Sequence, residues 1–247
     1  MKLKNYTIYI VAIFIIACSP SYNLQSYNDE VIEVQSPVDS TVLAIITPYQ
    51  NGIESQMNEV LCVSEMEMKK GKPESLLGNF VTDLCLNYAD AHVCVMNTGG
   101  LRSTLQKGKI TRGDIYTLMP FENELVVLEL DIESFKGLVD YITKRGGEPF
   151  SGMTLKASSI GYDIEEVLIS RYMEGGMEDF FDFNKGDKIR VLTSDYLANG
   201  GDKMWFFKDK EQIKVGIKLR DAIIDHCSKS DTISSKLDNR LIFTENE

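Results

Sequence analysis

Histidine is nearly absent from this sequence of 247 residues, which contains only His92 and His226. A two-metal phosphoesterase centre usually recruits several His and Asp ligands around its ions. Two isolated histidines, with no H-x-H or H-E-x-x-H arrangement, do not supply such a set. We therefore expect no metal site and no cofactor in this chain, and we interpret both histidines as packing or surface residues.

Positive charge is also scarce, since 26 Lys and Arg face 37 Asp and Glu and the net charge is −11. A protein that binds the backbone of DNA or RNA normally carries a basic face, so this balance argues against a nucleic acid polymer as partner. A small phosphate ligand is not excluded, because it needs only one or two local arginines. Beyond the N-terminus, no apolar run is long enough to span a membrane as a helix.

The N-terminus is typical of an export signal. Two lysines precede an apolar run over residues 8–16, which is too short to span a bilayer. The run ends in Ala17 and Cys18, which resembles a bacterial lipobox, where cleavage precedes the cysteine and lipid is attached to its sulfur. We predict a signal peptide over 1–17, lipidation of Cys18, and a mature chain anchored to a bacterial membrane on the periplasmic or cell-surface side. An ordinary secretory signal or a short anchor is the alternative.

The remaining chain is predicted to be a polar tether over residues 18–30 and one domain over 31–245. Predicted helices cover 41–57, divided or kinked at Pro48, 76–88 after an N-cap at Ser75, 132–143, and a segment near 215–227. Predicted strands cover 31–34, 60–63, 92–96, 125–130, 153–157, 189–194 and 241–244, and residues 158–188 are expected to be irregular. Because helices and strands mix without a regular βαβ alternation, the predicted class is α+β. The four body cysteines, Cys62, Cys85, Cys94 and Cys227, form no C-x-x-C pair, and we expect no essential disulfide among them. Cys85 and Cys94 lie in apolar sequence, which suits simple buried thiols.

The first of three notable loops combines a glycine pair with an amide and a guanidinium. Gly99 and Gly100 would let backbone N–H groups approach a ligand closely. Arg102 would grip phosphate oxygens through paired hydrogen bonds. Asn97 offers a donor and an acceptor to a base edge or a sugar hydroxyl. Taken alone, such a turn is more often structural than functional.

The other two loops place an aromatic ring beside polar residues. Phe121, followed by Asn123, could present a flat apolar face, although a single Phe of this kind more often lies in the core. Tyr196 could form the opposite side of an aromatic sandwich, and Asp202 could accept hydrogen bonds from ribose hydroxyls. Together the three loops suit one ligand whose base is stacked, whose ribose is held by a carboxylate and whose phosphate is held by an arginine. We therefore predict a nucleoside or nucleotide pocket.

The chain resembles the C-terminal, substrate-binding domain of 5'-nucleotidases, a family that includes UDP-sugar hydrolases and 2',3'-cyclic-nucleotide phosphodiesterases. The resemblance lies in five short stretches in family order: 74–79, 97–102, 108–116, 119–123 and 195–202. It implies a layered αββα fold in which helices flank two sheet layers. It also implies that Phe121 and Tyr196 stack the base, that the Asn97 amide contacts it, and that the backbone at Gly152 approaches it. The resemblance further implies that Arg102 binds the phosphate and that the Asp202 carboxylate binds the ribose.

Several positions depart from the family pattern. Tyr196 stands where Phe is common and should still stack. Lys203 follows Asp202 where Gly is usual, so we expect a differently shaped loop. Residues 69–72 contain three lysines where the family often has another phosphate-contacting arginine, and we expect lysine to substitute less rigidly.

The resemblance also implies an N-terminal metallophosphatase domain with two metal ions and a catalytic histidine. The sequence before residue 31 is interpreted only as signal and tether, so we expect this chain to bind a nucleotide without cleaving it. Three hypotheses remain open. The chain could supply specificity to a separate metallophosphatase subunit that carries the divalent metals, or it could be a free-standing nucleoside- or nucleotide-binding lipoprotein. The third hypothesis is a domain that has lost its binding function or serves only as a structural interaction domain.

Overall fold

The computed structural model describes residues 39–169 and 188–244. The chain divides into two units, residues 1–45 and residues 46–247. The predicted signal peptide, Cys18, the tether and the predicted strand 31–34 lie outside the described residues.

The described helices are α1 (Ser40–Met57), α2 (Leu76–Leu86), α3 (Arg112–Leu118), α4 (Ile132–Lys144), α5 (Asp195–Ala198) and α6 (Leu219–Ser228). The strands are β1 (Val60–Ser64), β2 (Val93–Val95), β3 (Gly108–Thr111), β4 (Glu124–Leu130), β5 (Phe150–Ser151), β6 (Met153–Ser158), β7 (Ile164–Ile169), β8 (Ile189–Ser194), β9 (Gln212–Lys218), β10 (Thr232–Ile233) and β11 (Leu241–Thr244). Short 3₁₀ turns cover Thr98–Gly100, Gly201–Lys203 and Trp205–Phe207.

The strands of the described residues form three sheets, and the largest has five strands in the order β5-β2-β8-β4-β9. Within it β2 and β8 are parallel, whereas β4 is antiparallel to β8 and β9. Two three-stranded sheets have the orders β10-β1-β3 and β11-β6-β7. This mixture of parallel and antiparallel pairs with interspersed helices confirms the predicted α+β class.

The five-stranded sheet separates two apolar cores. Along β4, Leu125 and Val127 belong to one core, while Val126 and Leu128 belong to the other, as the two-residue period of a strand requires. The first core is completed by apolar side chains of α2, α3 and α6, and the second by those of α4, β6 and β11. Helices therefore cover both faces of this sheet, which explains why β4 is almost continuously apolar.

Most predicted elements are confirmed, including the N-cap at Ser75, whose Oγ accepts a hydrogen bond from the Gly78 amide. The predicted helix near 215–227 is wrong in its first part, because residues 212–218 form β9 and α6 begins at Leu219. Alternation of Ile213, Val215 and Ile217 with polar residues is the strand pattern that marks this segment.

Two other predictions need correction, and one segment had no predicted element. Residues 164–169 form β7 within the stretch predicted to be irregular. The segment 108–118, which had no assigned element, forms β3 and α3, and a capping box between Thr111 and Asp114 begins that helix. Helix α1 continues through Pro48, so its predicted division is wrong, and none of its residues is buried.

Both histidines pack within the fold. His92 is buried, and its Nδ1 accepts a hydrogen bond of 3.1 Å from the Arg190 amide. The His226 ring meets the Phe80 ring edge-on, with 5.7 Å between centroids. The four body cysteines are buried free thiols.

Candidate ligand-binding site

The topology of the five-stranded sheet brings three loops to one edge. Strands β2 and β8 are parallel, so the loops that follow them leave from the same edge of the sheet. Strand β4 is antiparallel to β8, with Leu125 opposite Ser194, so the loop that precedes β4 lies at that edge as well. We name these segments the 97–102 loop, the 119–123 loop and the 195–203 loop.

A cavity of about 330 Å³ opens where these loops meet. Its lining consists of Asn97, Gly99, Gly100, Arg102, Phe121, Asn123, Tyr196 and Asp202. These are the residues predicted from the sequence, with one exception. Gly152 is not among the described residues that line the cavity. Its φ is +81°, and an added Cβ would lie 2.1 Å from the His92 carbonyl oxygen, so the position requires glycine for packing against β2.

The 97–102 loop is a tight turn that leaves the Arg102 guanidinium exposed. Gly100 donates from its amide to the Asn97 carbonyl at 3.0 Å. The Arg102 amide donates to the Leu118 carbonyl at 2.8 Å, and its Nη1 donates to the Gly99 carbonyl at 3.1 Å. Arg102 forms no ion pair with any described residue, so most of its N–H donors remain available to an anion.

The 119–123 loop is held to the start of α6 by charge. The exposed Glu122 carboxylate pairs with Lys218 and with the buried Arg220 guanidinium. Hydrogen bonds from Lys218 and then from Arg220 lower the pKa of Glu122 to about 2. Asn123 accepts a backbone hydrogen bond of 2.9 Å from Leu219. These contacts hold the backbone that directly follows Phe121.

The 195–203 loop begins with α5 and then turns sharply. Ser194 caps the helix by accepting a hydrogen bond from the Leu197 amide. The Asp195 carboxylate accepts a hydrogen bond of 3.2 Å from the Glu124 amide, and this contact connects the loop to the beginning of β4. Asp202 and Lys203 have φ values of +51° and +69°, in the left-handed region that favours glycine. Position 203 is therefore a lysine in a backbone conformation that glycine would favour.

Asp202 is the centre of a hydrogen-bonded cluster that joins two of the loops. Its Oδ1 accepts a hydrogen bond of 2.9 Å from the Tyr196 hydroxyl, and its Oδ2 accepts one of 2.6 Å from Asn97 Nδ2. Its amide donates 3.2 Å to the Tyr196 hydroxyl, and its carbonyl accepts 2.8 Å from the Tyr141 hydroxyl. The hydrogen bond to Asp202 raises the pKa of Tyr196. A carboxylate oxygen has two lone-pair sites, so both oxygens keep capacity for further donors.

The two predicted stacking residues border the same cavity and are partly exposed, Phe121 at 42% and Tyr196 at 45%. Among the described aromatic side chains, these two rings do not pack against each other. An aromatic ring that stays exposed at a cavity rim retains apolar area for a ligand to cover.

A known domain family matches this arrangement. The model of the family described as 5'-nucleotidase, C-terminal domain matches residues 57–209. The chain belongs to the 5'-nucleotidase C-terminal domain family. The matched range contains every residue that lines the cavity and all three loops.

Individual relatives cover most of this chain but are much longer. An apyrase from Tabanus yao is 23% identical over 78% of the chain and 39% of its own length. A 5'-nucleotidase from Vibrio vulnificus is 25% identical over 69% of the chain and 31% of its own length. The crystal structure of a 5'-nucleotidase precursor from Thermus thermophilus covers 86% of this chain and 44% of its own, with a TM-score of 0.68 and 22% identity. The chain thus has the fold of this domain and spans less than half of each relative.

The lysines that stand where the family often has an arginine lie outside the cavity lining of this 5'-nucleotidase C-terminal domain. Lys69 pairs with Glu67, and Lys70 donates 3.1 Å to the Leu101 carbonyl behind the 97–102 loop. Lys72 donates to the Arg145 carbonyl. Two of these three lysines therefore support neighbouring backbone, and the expectation that one replaces a phosphate-contacting arginine stays a prediction.

Two residues behind the cavity escaped the sequence analysis. Tyr141 lies in α4, where the helical pattern marks it only as part of an amphipathic face. Glu148 follows a glycine pair and precedes a proline, a context that indicates a turn and nothing more. Their contacts with Asp202 and Thr98 join segments far apart in sequence, so local pattern carried no signal for them.

Residues 39–169 and 188–244 contain neither a metal-binding cluster nor a membrane-spanning helix. No group of three or more His, Cys, Asp or Glu side chains in these ranges could hold a metal ion. None of the helices in these ranges has the length and apolar character needed to cross a bilayer.

Proposed function

We propose that this chain binds a nucleoside or nucleotide in the cavity between the three loops, as the specificity domain of a 5'-nucleotidase-type phosphohydrolase in nucleotide catabolism. The observation that carries the proposal is the convergence of eight predicted residues, from three separate segments, on one cavity. The volume of about 330 Å³ lies within the usual range for small-molecule sites.

The proposed roles follow from the chemistry of each side chain. Phe121 and Tyr196 stack the base, a contact worth roughly 1–3 kcal/mol per base. Asp202 accepts hydrogen bonds from the ribose hydroxyls, and Arg102 binds phosphate. Asn97 is committed to Asp202 through its Nδ2, so its Oδ1 is the atom best suited to a donor on the ligand. Asn123 and the backbone of Gly99 and Gly100 complete the polar lining, and Gly152 remains a proposed point of backbone approach to the base.

The metal chemistry is proposed to reside in a separate metallophosphatase subunit. Hydrolysis of a phosphate ester requires activation of water and neutralisation of the transferring phosphoryl group, which divalent metals supply. In support, the Vibrio vulnificus 5'-nucleotidase is more than twice as long as the part that this chain matches. The alternative is a free-standing nucleoside- or nucleotide-binding lipoprotein without a catalytic role.

Export and anchoring through a lipid on Cys18 belong to the same proposal. They rest on the lipobox-like sequence Ala17-Cys18 after a short apolar run. The Thermus thermophilus relative is called a precursor, which agrees with processing at an N-terminus. Mass spectrometry of the purified protein would detect the acyl chains on Cys18, and an unmodified N-terminus at Met1 would contradict this part.

The direct test of binding is calorimetric titration of the purified chain with adenosine, AMP, uridine and UMP. We expect saturable binding of at least one of them. Changing both Phe121→Ala and Tyr196→Ala should weaken it at least 10-fold, because two stacking contacts are lost. Binding that survives the double change would remove the stacking roles, and no binding of any of the four by the wild type would overturn the proposed function.

A further inference from the structure

One buried carboxylate contacts the site from behind without lining the cavity. The side chain of Glu148, which lies between α4 and β5, is only 1% exposed. Its Oε2 accepts hydrogen bonds from both the amide and the hydroxyl of Thr98, at 2.8 and 2.7 Å. Its Oε1 accepts 2.7 Å from Arg145 Nε, and Lys72 Nζ lies 3.7 Å away. Both oxygens of this carboxylate are therefore engaged.

Burying a charged carboxylate is costly unless it is paired and hydrogen-bonded. Here the two cations compensate the charge on one side, and Thr98 fills the other side with two donors. Thr98 stands between Asn97 and Gly99, both of which line the cavity. Any rearrangement of the 97–102 loop would have to withdraw these donors from a buried charge, so the loop is held in one position.

The same region also contacts the 195–203 loop. The Arg145 guanidinium lies 5.1 Å from the centroid of the Tyr141 ring, a cation–π distance. The Tyr141 hydroxyl donates 2.8 Å to the Asp202 carbonyl. We name Glu148, Arg145 and Tyr141 the rear brace. The rear brace links the 97–102 loop, which carries Asn97, to Asp202, which accepts the side-chain hydrogen bond of Asn97.

We propose that Glu148 is a positioning residue for ligand binding, which sets the geometry of the 97–102 loop through Thr98 and is linked to Asp202 through the rest of the rear brace. The inference rests on the proposed function, because it concerns the geometry of the same cavity. Although the ligand would not touch Glu148, this side chain would contribute to the affinity by holding the 97–102 loop in the binding geometry.

The test is calorimetric titration of the purified chain, with whichever of adenosine, AMP, uridine and UMP binds the wild type most tightly. Glu148→Gln keeps the shape of the side chain but replaces the carboxylate, which faces Thr98, Arg145 and Lys72, with a neutral amide. We expect an affinity loss of about 10-fold, because a hydrogen bond to a charged group contributes about that much. Thr98→Val removes only the hydroxyl donor and should cost roughly 3-fold.

Glu74→Gln is the matched control. The side chain of Glu74 is also largely covered, at 8% exposed, and its Oε1 accepts hydrogen bonds from Asn79 and Asp238 rather than from the 97–102 loop. Thermal unfolding should show a loss of stability in both variants, whereas only Glu148→Gln should lose affinity. If the two variants lose affinity equally, or if Glu148→Gln loses none, the positioning role is wrong while the proposed function stands.

Two further readouts separate positioning from general stability. In the double variant that combines Glu148→Gln with Thr98→Val, the losses of affinity should not add, since both changes break the same contact. A fully additive loss of affinity of about 30-fold would contradict coupling through Thr98. Amide hydrogen exchange in Glu148→Gln should accelerate more at Thr98 than at Val127 in the central strand β4, where any acceleration reports only the loss of global stability. A wild-type chain that binds none of the four compounds would overturn the proposed function and this inference together.

Discussion

At the scale of single residues, the site is organised around the carboxylate of Asp202. Its two oxygens accept hydrogen bonds from Tyr196 and Asn97, and its carbonyl accepts one from Tyr141. A carboxylate that is already oriented loses less side-chain freedom when a ligand arrives. We therefore expect the hydroxyl of Tyr196, which a phenylalanine would lack, to have a role separate from the proposed stacking.

The change Tyr196→Phe isolates that role. The ring remains, whereas the 2.9 Å hydrogen bond to Asp202 is lost. We expect roughly a 5-fold loss of affinity for a ribonucleoside, since a solvent-accessible hydrogen bond contributes on the order of 1 kcal/mol. The matching 2',3'-dideoxynucleoside should bind both proteins with similar affinity, as calorimetry can measure. Tyr162→Phe, at an exposed tyrosine outside the cavity lining, is the control, and an equal loss for both sugars would contradict action through Asp202.

At the scale of elements, the turn after α5 depends on close packing of backbone against the Tyr196 ring. A Cβ added at Gly201 would lie 2.6 Å from ring atoms of Tyr196 and 2.6 Å from its carbonyl oxygen. The carbonyl cannot move without disturbing α5, whose first residues carry the Asp195 contact to β4. The turn and the ring can therefore change position only together.

Gly201→Ala should destabilise this element. We expect a loss of about 2 kcal/mol, since overpacking typically costs 1–3 kcal/mol, and a melting temperature lower by roughly 4–8 °C for a chain of this size. Gly52→Ala in α1 is the control, because a Cβ there meets nothing within 4 Å and alanine favours helix by about 0.5–1 kcal/mol. An unchanged melting temperature for Gly201→Ala would show that the turn relaxes around the methyl group.

The 119–123 loop should respond to acid. Lys218 and Arg220 lower the pKa of Glu122 from 4.5 to about 2. A depressed pKa means that the ion pairs stabilise the fold fully above about pH 4.5, and that this contribution is lost as the pH falls from there towards 2. The melting temperatures of the wild type and Glu122→Gln should therefore differ near neutral pH and converge as the pH falls below about 2. Because Glu122 is exposed, the difference should be small and should shrink with added salt. A difference that grows on acidification would contradict this origin.

At the scale of the whole molecule, binding and chemistry are expected to separate. The purified chain should release no phosphate from AMP in the presence of divalent metal, whereas addition of a cognate metallophosphatase subunit should produce turnover. A phosphate-release assay measures both outcomes. Turnover by the chain alone, surviving further purification and sensitive to Arg102→Ala, would contradict the proposed division of labour.

Sequence patterns predicted the parts of this molecule that short-range physics decides. The N-cap at Ser75 and the apolar strand β4 follow from local hydrogen bonding and burial on both faces. The eight cavity residues were predicted from loop composition and from family resemblance, and the topology of β2, β4 and β8 explains why they meet. By contrast, α3 and β9 are short or edge elements with mixed polarity, and their assignment depends on neighbours. The contacts of Glu148 and Tyr141 join distant segments, so no local pattern contained them.

The antiparallel placement of β4 between β8 and β9 has a consequence for how such a domain can diversify. The strand ends position the loops that border the cavity, and they are rooted in two cores that no cavity side chain belongs to. Exchanges at the rim could therefore redirect recognition towards another flat, hydroxyl-bearing compound while the interior is inherited unchanged. Evolution of selectivity and conservation of architecture would then proceed on separate sets of positions.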